Sequence, residues 1–88
     1  CSSGMAAHVT VTNMLQNGDH IICVDDVYGG TQRYLNKVLN PNTKIEVTLC
    51  DFTDLASLKK QIKKNTKLCW LETPTNPTLK CFDIKKIA

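Results

Sequence analysis

Three short segments of this 88-residue chain hold residue types that can grip a small, flat, anionic molecule. Glu72-Thr73-Pro74-Thr75-Asn76-Pro77-Thr78 follows the apolar run 68–71. Proline cannot donate a ladder hydrogen bond, so a strand must stop there. Two prolines stiffen the loop around Asn76, whose amide supplies a donor and an acceptor without charge. An Asx turn that merely closes the loop is the plainer role for it. Asp25-Asp26-Val27-Tyr28-Gly29-Gly30-Thr31 follows a second apolar run. Its tyrosine can stack on a planar ring, or it can pack on the sheet edge beside an ordinary Gly-Gly turn. Asp25 and Asp26 have the chemistry of metal ligands, but adjacent carboxylates on a strand point apart, which favours turn and capping roles. Ser2-Ser3-Gly4-Met5-Ala6-Ala7 puts small residues at a helix start, where unpaired amides and the helix dipole make an anion site. By itself that string equally describes an ordinary N-cap.

The elements that would position these segments follow from patterning. His20 to Asp25 is a short continuous apolar run, the mark of a strand buried on both faces. Residues 44–49 alternate, with Ile45, Val47 and Leu49 on one side, so one face is less buried. Residues 66–72 form a third strand. Helical stripes fill the intervals: Tyr34, Leu35, Val38 and Leu39, then Leu55, Leu58 and Ile62. Asp54 and Asp83 can N-cap the second and third of these helices. Asn40-Pro41-Asn42 reads as a turn. Residues 5–15 fit a helix or a β-branched strand, and helix is favoured, with Asn17-Gly18 as its C-terminal signal. Alternating strands and helices predict an α/β fold, three layers deep around a mostly parallel sheet.

Composition excludes several functions. Hydrophobic residues make up 42% and charged residues 22%, so the chain is globular rather than disordered. Eleven basic against eight acidic side chains leave a net charge of +3. The excess sits mainly at Lys59, Lys60, Lys63, Lys64 and Lys67, which reads as a solvated helix face, not a nucleic-acid reader. Five cysteines have no Cys-x-x-Cys, and neither His8 nor His20 lies at metal-ligand spacing from one, so no metal site is expected. Cys23 and Cys69 read as small buried hydrophobes. An odd count without a framework suits a reducing compartment. No apolar stretch reaches the length of a membrane span. A start on Cys1 and an end one turn into a helix suggest an internal piece of a longer protein.

Taken together, Ser3-Gly4-Met5-Ala6-Ala7, Asp25 to Tyr34 and Glu72 to Thr78, in this order and spacing, resemble the pyridoxal-phosphate (PLP) enzymes of cysteine and methionine metabolism. The resemblance runs along essentially all 88 residues. It implies that residues 1–88 are a central part of the large, PLP-binding domain of a fold type I enzyme. It implies that the amides of Gly4 and Met5 hold the phosphate. Tyr28 would stack on the pyridine ring and orient substrate, Asn76 would bond the ring's phenolic oxygen, and Glu72 would lie on the substrate side. Cys1 departs from the aromatic or small residue common there. The Asp25-to-Thr31 string most resembles members that cleave L-cystathionine to cysteine, 2-oxobutyrate and ammonia by γ-elimination. A synthase, a sulfhydrylase or a methionine-cleaving lyase of the same family is the alternative. The resemblance implies a cytoplasmic homotetramer acting on a small amino acid, with no nucleic-acid or membrane partner. None of the ten lysines matches the family's Schiff-base position, so these residues hold no catalytic group and would be inactive alone. A non-catalytic interaction module is the alternative from another class.

Overall fold

A computed structural model describes all of residues 1–88. Its order is α1 (Gly4–Thr12), β1 (His20–Val24), α2 (Gly29–Arg33), a π-helical stretch (Tyr34–Leu39), α3 (Asn40–Asn42), β2 (Glu46–Cys50), α4 (Leu55–Gln61), β3 (Thr66–Trp70) and α5 (Ile84–Ile87). The strands form one parallel sheet in the order β2-β1-β3. The α/β expectation holds.

β1 is the axis of this arrangement. Its sequence is apolar after His20, all five residues are buried, and both its edges are hydrogen-bonded. The connection from β1 leads to one side, and the next returns across β1 to the other. Right-handed crossovers therefore place the two connecting helical segments on opposite faces of the sheet. Ile21, Ile22, Cys23 and Val24 are buried between them, with Leu35, Leu39, Phe52 and Leu58 in the same core. Each buried Ile contributes about 1.5–3 kcal/mol relative to exposure. Burial also pushes the Cys23 thiol up to about 12, with Glu72 adding to the effect, so it stays a protonated hydrophobe.

Asp54 and Asp83 cap α4 and α5 as expected, accepting from Ser57 and Lys86 amides. The first segment is a helix, but it ends at Thr12, well before Gly18. Gly18 instead makes the turn into β1 at φ +93°, where its amide donates to the Lys44 carbonyl. The expected turn at residues 40–42 is helical. The chain stays helical from Gly29 to Asn42 because six residues widen into a π-helix, so that Thr31, Leu35 and Leu39 are buried at four-residue intervals. Val38, from the predicted stripe, is half-exposed. β3 is a sheet edge rather than a buried strand, and Cys69 on it is exposed, contrary to its reading as a buried hydrophobe. Ile62 lies beyond α4 and is also exposed. The lysines at 59, 60, 63, 64 and 67 are all exposed, and Lys63 pairs with Glu46 at 2.9 Å.

His20 clamps the amino ends of the three strands. Its Nδ1 lies 2.6 Å from Thr66 Oγ1 on β3 and its Nε2 lies 2.9 Å from Thr48 Oγ1 on β2. Thr66 Oγ1 also accepts the Lys63 amide at 2.8 Å. Burial, and secondarily Lys63, lower the His20 pKa, while Glu46 opposes them. The unfolded chain therefore binds this proton more readily, from about pH 6.5 downward. The stability due to neutral His20 is complete above that value and is lost as pH falls toward the folded-state value. The melting temperature of the wild type should fall between pH 6.5 and 5, and His20→Gln should flatten that part of the profile. Parallel profiles for the two proteins would refute the assignment.

Candidate functional site

Ligands of open α/β sheets bind beyond the carboxyl ends of strands, where the strand order reverses. Here β1 lies between β2 and β3, and the loops after β1 and β3 carry Tyr28, Glu72 and Asn76. α1 precedes β1 and runs back along it, so its first turn reaches the same end. His8 on α1 touches Thr31 of α2 and stacks on Trp70, the last residue of β3, at 4.5 Å between centroids.

The start of α1 is partly capped. Ser3 Oγ accepts the Ala6 amide at 3.0 Å, and the Ser3 carbonyl accepts that of Ala7 at 3.1 Å. Of the four amides a helix start leaves over, those of Gly4 and Met5 have no acceptor in the chain. Gly4 is exposed, and a Cβ built on it would meet nothing within 4 Å, so an anion has room to approach. The donor set suits a phosphate: two free amides on a nine-residue helix, at the positive end of its dipole.

Tyr28 is 50% exposed, so its ring is available for stacking. Its position depends on Gly30, because a Cβ there would sit 2.6 Å from Tyr28 Cε1. The Tyr28 amide donates to Glu72 Oε2 at 3.3 Å, and the Thr31 hydroxyl donates to Glu72 Oε1 at 3.4 Å. Both carboxylate oxygens of Glu72 thus face the start of α2, which has no cap of its own.

Asn76 is exposed, and its amide makes no hydrogen bond within the chain, so the Asx-turn role is not the one it plays. Its loop is held from behind by Asp26. The Thr75 hydroxyl donates to Asp26 Oδ2 at 2.5 Å, the Thr78 amide donates at 3.3 Å, and the Thr78 hydroxyl also donates. Thr75 is 1% exposed; its amide donates to the Lys80 carbonyl, and its hydroxyl oxygen accepts the Lys80 amide. These donors, Thr75 first, hold the Asp26 carboxyl below the usual carboxylate range. Asp26 is a long-range loop anchor, which replaces the local turn or capping role expected for it. No three His, Cys, Asp or Glu side chains of residues 1–88 are grouped so that they could hold a metal ion.

The structure thus joins the Gly4 turn, Tyr28 and Glu72 through hydrogen bonds, and sets Asn76 on a loop pinned by Asp26. Sequence reasoning passed over His8, Thr31, Asp26 and Thr75 as members of this assembly. Only the placement of Thr31 directly after Gly29-Gly30 gave a signal.

The family model for Cys/Met metabolism PLP-dependent enzymes matches residues 1–88. The chain belongs to that family, and pyridoxal 5'-phosphate is the family's cofactor. It is 54% identical over 86 residues to putative cystathionine gamma-lyase 2 of Caenorhabditis elegans, covering 98% of this chain and 22% of that one. It is 47% identical over 87 residues to the Homo sapiens cystathionine gamma-lyase, covering 99% and 21%. The crystal structure of the Lactobacillus plantarum cystathionine gamma-lyase complexed with L-serine superposes with a TM-score of 0.94 at 45% identity, covering 98% of this chain and 22% of that one. The chain therefore spans about a fifth of the length of these relatives.

Gly30→Ala should separate ring placement from folding. The methyl group displaces the half-exposed Tyr28 ring, while alanine favours the helix by about 1 kcal/mol. In the full-length protein, PLP affinity should fall roughly three- to tenfold, the range of an aromatic contact, with no loss of melting temperature. Unchanged affinity would mean that Tyr28 does not contact the ring.

Proposed function

We propose that residues 1–88 are the cofactor-gripping part of the large domain of a PLP-dependent carbon-sulfur lyase, one that splits L-cystathionine into cysteine, 2-oxobutyrate and ammonia by γ-elimination. The observation that carries the reading is the pair of free amides at Gly4 and Met5, set at the same sheet end as an exposed Tyr28 and an uncommitted Asn76. The γ-lyase names of the relatives at 45–54% identity support the reaction. A cystathionine beta-lyase of Coxiella burnetii, 41% identical over 87 residues, makes β-elimination the specific alternative.

In this reading the amides of Gly4 and Met5 bind the phosphate, and Ser3 keeps the turn open by taking the next two donors. Tyr28 covers one face of the pyridine ring. Asn76 donates to the ring's phenolic oxygen from a loop that Asp26 holds still. Glu72 keeps Tyr28 turned toward the substrate side. Bound PLP supplies the electron sink for bond cleavage next to an amino group. The lysine that carries it and moves protons belongs to another part of the protein, so residues 1–88 bind and orient without a catalytic base. A substrate of the amino-acid class, a homotetrameric assembly and a cytoplasmic location complete the proposal. The five unpaired cysteines support a reducing compartment. No helix is long and apolar enough to cross a membrane.

The full-length protein loaded with PLP and given L-cystathionine should release cysteine and 2-oxobutyrate. Release of pyruvate and homocysteine instead would establish β-elimination. Absence of any keto acid would refute both lyase readings. Asn76→Ala should weaken PLP binding about five- to tenfold, the loss of one ring-directed hydrogen bond, as measured by cofactor titration.

A further inference from the structure

We propose that His8 and Thr31 are positioning residues, which link the ring-bearing Tyr28 turn to the first turn of α1 through Glu72. The inference deepens the cofactor reading above and rests on it. Its basis is a continuous polar chain: Gly4 carbonyl, His8, Thr31, Glu72, Tyr28 amide. The Gly4 carbonyl only accepts, so His8 Nδ1, 2.5 Å away, carries the ring hydrogen. Its Nε2 lies 2.7 Å from Thr31 Oγ1. The same hydroxyl donates to Glu72 Oε1 at 3.4 Å, so Thr31 stands between His8 and Glu72.

Each link is held from outside the chain of bonds. Thr31 is fully buried, so its hydroxyl has no water to turn to. The His8 ring rests on Trp70 at an interplanar angle of 33°. Glu72 follows β3, and Tyr28 lies between β1 and α2. Four separate elements therefore meet in one line. Half-exposed Tyr28 has little packing of its own, and this line fixes where its backbone stands relative to the free amides of Gly4 and Met5. A ring and a phosphate of one cofactor must be met at a fixed separation, so preorganisation of the two contacts strengthens binding.

The test is PLP titration of the full-length protein, with the apo-protein melting temperature measured in parallel. Thr31→Val keeps the shape and removes the hydroxyl; His8→Phe keeps a ring on Trp70 and removes both nitrogens. Each should raise the PLP dissociation constant about tenfold, the effect of one hydrogen bond in a buried setting. Thr31→Ser should restore wild-type affinity to within about twofold, because the hydroxyl returns. The double variant should bind no worse than the weaker single one, since both break the same line. Wild-type affinity in both single variants would overturn the inference. So would a loss in Thr31→Ser equal to that in Thr31→Val, which would assign the effect to packing. If Thr31→Val does not fold, His8→Phe decides alone, because His8 is only half-buried. A wild type that takes up no PLP would overturn the cofactor reading and this inference together. A normal wild type beside unaffected variants would overturn this inference only.

Discussion

Parallel pairing of β1 on both edges constrains everything else in this chain. A parallel neighbour can be reached only by a crossover, so every connection must return along a face of the sheet. That return brings all three strand carboxyl ends to one side, together with the start of α1. It also leaves β1 with no solvent-facing side, which is why its residues after His20 are apolar. His20 is the exception, and it is tolerated because two threonine hydroxyls, one from each neighbouring strand, satisfy both ring nitrogens.

At the carboxyl end the cohesion is of another kind. The loops there are too exposed to be held by apolar burial, and side chains reaching across from one loop to another hold them instead. Asp26 pins the loop after β3 from the loop after β1, and Glu72 pins the loop after β1 from the loop after β3. The two carboxylates cross in opposite directions, so neither loop can shift without breaking bonds made by the other. Every buried polar side-chain atom is satisfied within the chain. Asn76 and Gly4, which keep polar groups free, are exposed. Free donors at a rigid rim are what a ligand can use without first breaking an internal bond.

The sequence revealed the parts that depend on local pattern. The three strands, the helices between them and the caps at Asp54 and Asp83 follow from periodicity and from one side chain's reach to its own backbone. The helical continuation through Pro41 did not, because Asn40-Pro41-Asn42 has turn chemistry, and only the wider π-turn upstream lets the helix continue. The exposure of Cys69 did not either, since an apolar run looks the same in a central strand and in an edge strand. The polar framework was the least visible. Thr31 and Glu72 are 41 positions apart, and Asp26 and Thr75 are 49 apart. No periodicity links residues so separated; topology alone brings them together. Gly4, Met5, Tyr28 and Asn76 could be singled out because each stands at the end of an element, where a ligand must be met.

Stability and site geometry therefore rest on different residues. The apolar residues of β1 and their partners set the layers, and His20 secures the amino end of the sheet, far from the loops that carry Tyr28 and Asn76. The site is set by carboxylates, hydroxyls and one imidazole at the opposite end. Losing an apolar contact in the core leaves a cavity and costs folding free energy throughout. Losing one of the cross-loop bonds costs little of the core and instead loosens one contact relative to another. Close packing of Ile21, Ile22 and Leu35 places the strand ends to within a side chain's reach, and hydrogen bonds then set the final distances. Gly30 marks where the two requirements meet. It lies in a helix, where alanine would be the better former, yet the space a methyl group would need is taken by the Tyr28 ring. Helix propensity yields there to the position of one exposed aromatic ring, which the core does not need.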